Sequence, residues 1–313
     1  MERTSQIGKR IKLRDLQILQ AAAQSQSMIK AARQLGITQP AVSYAISSIE
    51  QVLGVPLLDR TVHGVSPTIY GMALLERSSI IFNELRQGIS EIATLSDPSA
   101  GEMRIGATAP MAAIVSIVFN RLHAQFPKLR FELLTGETSN LLRALRRREI
   151  EVVVSRTSDS AASQDDLTVE TLFREELAVI CGQSNKWGRR GNISLSKLIS
   201  EPWIFPPPQS IITELIRREF EGCGLEMPRA TITTSSTYAL SVLLASGPFL
   251  AINPRSMLKT PFNRLKAVNL RLHQTVGPIM LSTLSNRSLT PAAKLFVNAA
   301  RETATSMSPE LMP

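Results

Sequence analysis

The sequence contains few of the side chains on which disulfide frameworks, metal sites and histidine catalysis depend. Its 313 residues include only 2 cysteines and 3 histidines. Cys181 and Cys223 lie far apart, in a spacing that fits neither a disulfide framework nor a zinc motif, so we predict no metal site and no cofactor. We expect both cysteines to be buried, reduced thiols, and a redox-active pair is the alternative.

Recognisable catalytic motifs are also missing. The chain contains no Gly-x-Ser-x-Gly elbow, phosphate-binding loop, dinucleotide-binding glycine pattern or His-Glu-x-x-His pair. His63, His123 and His273 are scattered along the chain, and solvated positions explain them more simply than a catalytic site does. An enzyme is the rival class of protein, and these absences argue against it.

Long apolar runs are absent as well. No stretch approaches the roughly 18 consecutive apolar residues of a membrane-spanning helix, and the charged N-terminus lacks the apolar segment and cleavage site of a signal peptide. We therefore expect a cytoplasmic protein that does not contact a membrane. With 43% hydrophobic and 19% charged residues, the chain can form two or three ordinary globular cores.

Positive charge is in excess, with 35 Lys and Arg against 26 Asp and Glu and a formal net charge of +9. This balance favours an acidic or polyanionic partner. Basic residues outnumber acidic residues both in residues 1–60 and from residue 99 onward. Net charge alone therefore does not locate a nucleic-acid-binding segment.

A pair of short helices is predicted within residues 28–53. Met28 to Leu35 has helical apolar spacing, and Gly36 can adopt the left-handed conformation that ends a helix. Thr38 suits the N-cap of a second helix, and Pro40 is tolerated in its first turn. Two helices joined by a short turn that contains glycine form a helix-turn-helix, an arrangement used by many DNA-binding proteins.

The second of these helices has one apolar face and one polar face that lacks lysine and arginine. A packed surface helix would explain the apolar face, but the polar face offers the short donors and acceptors that a recognition helix needs in the major groove. Basic residues before and after it would bind the phosphates. The predicted DNA-binding residues are Lys30, Arg33, Thr38, Gln39, Pro40, Ser43, Tyr44, Ser47, Arg60 and His63.

Residues 13–71 resemble the winged helix-turn-helix of LysR-type transcriptional regulators. The resemblance rests on the Ala31-Ala32 pair, the run Thr-Gln-Pro-Ala-Val-Ser that begins at Thr38, and the Arg-x-x-x-Gly wing that begins at Arg60. It implies that residues 1–67 form a DNA-binding domain for double-stranded promoter DNA. Positions that depart from the usual Phe, Arg and Ala of the family are Leu58, His63 and Tyr70.

A long helix is predicted over residues 68–96, followed by a hinge linker at residues 97–101 that contains proline, serine and glycine. Apolar residues repeat along this helix at about seven-residue spacing, with Ser78 as the weak position. Such a helix can lie on its own domain, but the resemblance favours a linker helix that pairs with a second copy of the chain in a dimer or tetramer. The repeating residues are Leu75, Phe82, Leu85, Ile89 and Ile92.

The rest of the chain alternates strands and helices, which predicts an α/β fold with parallel sheets. We expect lobe I at residues 102–172 and 276–305 and lobe II at residues 173–275, because the last strand and helix look like a return to the first lobe. The resemblance extends over about residues 10–305 and implies an effector domain with the two-lobed plan of a periplasmic binding protein. A periplasmic solute receptor would share this plan but would have no use for a helix-turn-helix.

A cleft between two such lobes is the predicted binding site for a small molecule. The loop from Ala107 to Pro110 opens a helix, whose free N–H groups favour an anion. Hydrogen-bond donors dominate the site that this loop and the resemblance indicate, so we expect a carboxylate effector. A salt bridge between Arg156 and Asp159 is the alternative, and it would leave the cleft neutral. The predicted effector-binding residues are Thr108, Pro110, Thr138, Arg156 and Ser210.

The expected function is sequence-specific regulation of transcription, with promoter binding modulated by a small anionic effector. The expected partners are promoter DNA, the effector and further copies of the chain, and RNA polymerase is a candidate partner at the promoter.

Overall fold

The computed structural model describes residues 11–61, 64–97, 100–156, 165–191, 193–259 and 264–307. Contacts divide the chain into two units, Met1–Ile89 with Arg147–Glu149 and Ser90–Arg146 with Ile150–Pro313. Within the described ranges, no helix is long and apolar enough to cross a membrane.

The first unit begins with three helices and a two-stranded wing. Its first elements are α1 (Leu13–Ser25), α2 (Met28–Leu35), α3 (Gln39–Leu53), β1 (Leu58–Thr61) and β2 (Gly64–Pro67). Gly36 has φ of 66° and ψ of 31°, in the left-handed region that glycine reaches without strain, so α2 ends where the sequence predicts. The wing strands are antiparallel, and the apolar faces of the helices meet in one core around Leu19, Ile46 and Leu57.

A long helix, α4 (Ile69–Ser96), follows the wing at almost the predicted position. Gly71 lets its first turn approach the segment before β1, since a Cβ at this position would clash with the carbonyl oxygen of Leu57. The hydroxyl of Thr68 accepts a hydrogen bond from the Gly71 amide at 3.0 Å and donates to the Pro56 carbonyl at 2.7 Å. The start of α4 is thereby fixed to the core of the first unit.

The apolar repeat of α4 divides into two parts. Leu75 and Phe82 pack against the core of the first unit. Leu85, Ile89 and Ile92, further along the helix, are exposed. The first residues of the repeat therefore pack within the helix's own unit, and the later residues lie on the surface.

The second unit alternates strands and helices, which confirms the predicted α/β class. Short 3-10 turns lie at Ala109–Met111, Lys186–Arg189, Leu195–Leu198 and Arg255–Lys259. The longer elements are β3 (Gly101–Ala107), α5 (Ala112–Gln125), β4 (Leu129–Thr135), α6 (Thr138–Arg146), β5 (Val152–Arg156), β6 (Leu167–Gly182), β7 (Trp203–Phe205), α7 (Ile211–Gly222), β8 (Ala230–Thr233), α8 (Thr237–Ser246), β9 (Leu250–Pro254), β10 (Leu265–Ala267), β11 (Thr275–Leu284) and α9 (Pro291–Met307).

The strands of this unit form one sheet in the order β4-β3-β5-β11-β6-β9-β7-β8, with β10 beside β6. β3 is parallel to β4 and β5, and β7 is parallel to β8 and β9. Helices pack on both faces of the sheet, so central strands such as β5 and β9 are buried on both sides, whereas the edge strands β4 and β8 are largely exposed. In β5, for example, Val152 and Val154 belong to one core and Val153 to the other.

Two strands connect the two lobes of the second unit. β6 has 16 residues, because its first part pairs with β11 up to Glu176 and its second part pairs with β9 from Leu177. β11 runs back beside it, with a register shift between Val276 and Ile279. Lobe I is built around β3, β4 and β5, and lobe II around β7, β8 and β9.

The two cysteines have different environments. Cys181 is buried as predicted, and burial raises the pKa of its thiol above the ordinary value, which disfavours the reactive thiolate. Cys223 is exposed, so the prediction of two buried thiols is wrong for this residue. The reason is its position after the last turn of α7, between Gly222 and Gly224, which are themselves exposed.

Candidate DNA-binding face and effector cavity

The polar face of α3 is open to solvent. Val42, Ile46 and Ile49 are buried in the core of the first unit. Gln39 and Tyr44 point away from that core, and Tyr44 is 78% exposed. Both side chains are therefore accessible to a partner on this face.

Local hydrogen bonds set the first turn of α3. The Thr38 hydroxyl accepts from the Ala41 amide at 3.4 Å, which is the predicted N-cap. Gln39 Nε2 donates to Ser43 Oγ at 3.0 Å, one helical turn further on. The amide of Gln39 keeps its carbonyl oxygen and a second N–H for another partner.

The end of α3 is joined to the wing. Glu50 Oε1 accepts from the amides of Leu57 and Leu58, at 2.8 and 3.3 Å, so this carboxylate holds the strand that starts the wing. Arg60 on β1 places Nη2 3.4 Å from Ser47 Oγ, which brings a guanidinium beside the polar face. A charged group suited to phosphate thus lies next to short polar groups suited to base edges.

Three more of the predicted DNA-binding residues lie on the surface of the same unit. Lys30 and Arg33 are exposed on α2, and Pro40 is exposed in the first turn of α3. His63 falls outside the described residues. The exposure of these side chains agrees with the prediction, and their contacts with DNA stay a prediction.

A cavity of about 540 Å³ lies between the two lobes of the second unit. Lobe I contributes Pro110, Met111 and Arg156, and lobe II contributes the segments at 204–212, 234–241 and 253–257. Its volume falls in the ordinary range for sites that bind small molecules. The carboxyl ends of β7 and β8 open towards it, as is usual for ligand sites in parallel sheets.

Two helices of lobe II begin at this cavity. The Ser210 hydroxyl caps α7 by accepting from the Ile212 amide at 3.2 Å, and the Ser236 hydroxyl caps α8 by accepting from the Ala239 amide at 3.2 Å. Helix N-termini carry partial positive charge and attract anions. Hydroxyl groups also line the cavity at Ser241 and Ser256.

Among the described residues that line the cavity, Arg156 is the one charged residue, and it is paired. Its Nη2 lies 2.5 Å from Oε2 of Glu175, a carboxylate on β6 that is 2% exposed. The other oxygen of Glu175 accepts from the Ser256 amide at 3.1 Å. Arg156 Nε is buried and has no hydrogen-bond partner among the described residues. The ion pair therefore leaves one donor of the guanidinium unused.

The predicted effector-binding residues divide between the cavity and other positions. Pro110, Arg156 and Ser210 line it, whereas Thr108 and Thr138 do not. The Thr108 carbonyl accepts from the amides of Met111 and Ala112, so this residue starts the turn that leads into the cavity wall. The predicted alternative partner of Arg156, Asp159, lies outside the described residues, and the partner observed is Glu175.

Two groups of cavity residues escape the sequence prediction. The run Thr-Ser-Ser-Thr-Tyr at residues 234–238 joins β8 to α8 and lines the cavity throughout. A row of hydroxyls at the carboxyl end of a strand is a signal that could have identified it. Glu175 gives a weaker signal, since an acidic residue in a long strand is equally common on an exposed face.

Both units match known protein families. Residues 13–72 match the family described as bacterial regulatory helix-turn-helix protein, lysR family, and residues 96–305 match the family described as LysR substrate binding domain. Similar proteins include the transcriptional regulator TdcA of Escherichia coli strain K12, 27% identical over 294 residues that make up 93% of each chain. GbpR of Azospirillum brasilense is 26% identical over 93% of this chain and 86% of its own length.

Solved structures with a similar fold cover nearly the whole chain. CbnR, a LysR family transcriptional regulator, aligns with a TM-score of 0.65 and 20% identity over 94% of this chain and 99% of its own. A variant of full-length OxyR from Pseudomonas aeruginosa aligns with a TM-score of 0.60 and 16% identity over 94% of each chain. At these identities the structures establish the fold.

Proposed function

The chain belongs to the LysR family of transcriptional regulators, and we propose that it reads promoter DNA with the polar face of α3 and binds a small carboxylate in the interlobe cavity. As a member of this family it is a DNA-binding regulator of transcription whose action depends on an effector. The observation that carries the DNA-reading part is the exposed, neutral polar face of α3 beside Arg60. The most informative experiment is to select the fragments of genomic DNA that the protein binds. We expect the bound fragments to share one sequence, and binding of fragments regardless of their sequence would contradict the proposal.

The proposed organisation follows the sequence. Residues 1–67 bind DNA, residues 68–96 form the linker helix, residues 97–101 join it to the effector domain, and lobes I and II follow. Two recognition helices are needed to read two half-sites, so the proposal includes self-association. RNA polymerase is a further proposed partner. The proposed location is the cytoplasm, where the protein can reach promoter DNA.

The case for a carboxylate rests on the donors that face the cavity. The N-termini of α7 and α8 supply partial positive charge, and Arg156 has an unused N–H at Nε. An oxygen of the ligand would satisfy this buried donor, whose isolation otherwise costs free energy. The apolar wall, which includes Met111 and Ile114, would pack against the carbon skeleton.

Glu175 sets the strength of this attraction. Its negative charge offsets that of Arg156, so an entering carboxylate competes with Glu175 for the guanidinium. Because Glu175 also accepts from the Ser256 amide of lobe II, displacement of Arg156 would alter a connection that spans both lobes. This gives a route by which the effector changes the relation between the lobes.

Thermal shift of the full chain tests the proposal with pairs of organic acids and their neutral amides. Glu175→Gln removes the competing charge, so we expect about tenfold tighter binding of the acid, the effect of about 1.4 kcal/mol, and little change for the amide. Arg156→Met alone would leave a buried carboxylate unpaired and cost about 3–5 kcal/mol of stability. The double variant Arg156→Met with Glu175→Gln avoids this cost and should lose the preference for acids.

A matched control lies on the same strand. Glu170 on β6 forms an ion pair with Arg301 at 2.8 Å and does not line the cavity. Glu170→Gln should leave the affinity for both ligands unchanged. Equal stabilisation by acids and amides in the wild type and in the double variant would show that the effector is neutral.

A further inference from the structure

A cluster of metal-ligating side chains lies in lobe II, at the opposite end of α7 from the cavity. Glu219 and Cys223 come from the end of that helix, and His273 comes from the segment before β11. One ligand atom of each residue lies within 4.8 Å of those of the other two. We propose that these three side chains bind a divalent transition metal of the Zn²⁺ type.

The carboxylate is already oriented as a ligand would be. Glu219 is almost fully buried, and its Oε2 accepts from the amides of His273 and Gln274 at 2.9 and 2.8 Å. Hydrogen bonds of this kind hold metal-binding carboxylates in place and are common around metal sites. The remaining oxygen, Oε1, lies 3.0 Å from His273 Nδ1.

The distance between Glu219 Oε1 and His273 Nδ1 is close to the distance between two ligand atoms of a tetrahedral metal ion. Zn–N and Zn–O distances of about 2.0–2.2 Å at a tetrahedral angle place the two ligand atoms ~3.4 Å apart. The His273 side chain is 81% exposed and Cys223 is exposed, so both can adjust by rotation. A thiolate, an imidazole and a carboxylate are the ligand types that Zn²⁺ takes, and a water would complete the fourth position.

Charge gives an independent reason for a cation at this position. Among the described residues, the exposed ring of His273 is the ion-pair partner of the buried Glu219, with no lysine or arginine beside it. A buried carboxylate without a permanent counter-charge is unfavourable. Cys223 is also the C-cap of α7, and the C-terminus of a helix carries partial negative charge that attracts cations.

The bound metal would connect the end of α7 to the segment that enters β11. The sequence gives no hint of this cluster, since Glu219 and Cys223 are separated from His273 by about fifty positions. The spacing of Glu219 and Cys223, four residues apart, places both on one face of a helix, but this pattern is too common to indicate a site alone.

Titration of the full chain with Co²⁺ tests the proposal, after treatment with chelator, dialysis and transfer to argon. We expect one Co²⁺ per chain, with thiolate-to-cobalt charge-transfer absorption and the visible bands of a tetrahedral ion, and displacement of Co²⁺ by one equivalent of Zn²⁺. Cys223→Ser should abolish the charge-transfer band. His273→Asn should weaken binding at least tenfold.

The chain provides matched controls for both exposed ligands. Cys181→Ala and His123→Asn should leave the spectrum and the affinity unchanged. Glu219→Gln is expected to weaken binding, and if it prevents folding the two exposed positions still decide the matter. The proposal is overturned if the wild type shows no charge-transfer band at one equivalent, or if the band persists in Cys223→Ser.

Discussion

Gln39 occupies the first turn of α3 with part of its amide free, where side chains of a recognition helix reach base edges. A glutamine can form two hydrogen bonds with adenine in the major groove. We therefore expect Gln39→Ala to weaken binding to the selected operator by about 1–3 kcal/mol, with much less effect on random DNA. Fluorescence anisotropy with both duplexes measures the two losses.

Arg33 provides the comparison for this experiment. An exposed arginine on α2 suits a phosphate, which has no sequence information. Arg33→Ala should weaken both duplexes alike and lower the slope of log K against log salt by about 1. If Gln39→Ala behaves in the same way, α3 does not read bases through this residue.

Glu151 is a half-buried acid whose contribution to the stability of the fold depends on pH. Its Oε2 accepts from the Thr290 hydroxyl at 2.7 Å. Burial raises the pKa of Glu151 above the ordinary value, although the bonds from Thr290 and the charges of Arg287 and Arg104 oppose this. The folded chain therefore holds this proton to higher pH than the unfolded chain, and stability falls as pH rises between the two pKa values.

Glu151→Gln should remove this pH dependence, because an amide keeps an oxygen for Thr290 and cannot lose a proton. We expect the variant to have the higher Tm at mildly alkaline pH, with the difference closing as the pH falls through the unfolded-state pKa of glutamate. Calorimetry across this range measures it. A constant difference at every pH would assign the effect to packing.

At the scale of elements, α4 presents apolar side chains to solvent along one side. Leu85, Ile89 and Ile92 are 49%, 61% and 66% exposed, and together with Ile81 they fall within about 80° around the helix. An exposed apolar stripe along a helix is typical of a surface that packs against a helix of a partner. The family resemblance makes a second copy of the chain the expected partner.

Leu85→Asp with Ile89→Asp should convert the protein to monomer and weaken operator binding, since a charge in the seam would be buried without a partner. Light scattering of the full chain measures the mass. Both side chains are exposed, so the circular dichroism of the variant should match the wild type. Ala73→Asp with Ala93→Asp adds the same charge to exposed positions outside the stripe, and an equal effect there would contradict the proposed seam.

Elements with local signals are predictable from the sequence, and pairs brought together by the fold are not. The turn at Gly36 and the cap at Thr38 depend on neighbouring residues, so α2 and α3 appear at the expected places. The pairing of Arg156 with Glu175 depends on two strands, β5 and β6, that the sheet places on either side of β11. The length of β6 likewise depends on its having β11 as one partner and β9 as the other.

At the scale of the molecule, the residues that line the cavity of the second unit come from many short segments of the chain. The cavity takes side chains from both lobes, and neither lobe alone encloses it. The hydrophobic cores are separate, since one surrounds Phe296 in lobe I and another surrounds Trp203 in lobe II. A change in the distance between the lobes would leave these cores intact.

The paired course of β6 and β11 has a mechanical consequence. Two adjacent strands resist shear and twist together, but they bend readily where their ladder is interrupted, and the register shift beside Pro278 is such a point because proline donates no hydrogen bond. We expect the two lobes to turn as rigid bodies about this point, mainly by a change in one angle between them. A ligand in the cavity would act on that angle, so a few kcal/mol of binding free energy would turn one lobe against the other without repacking either.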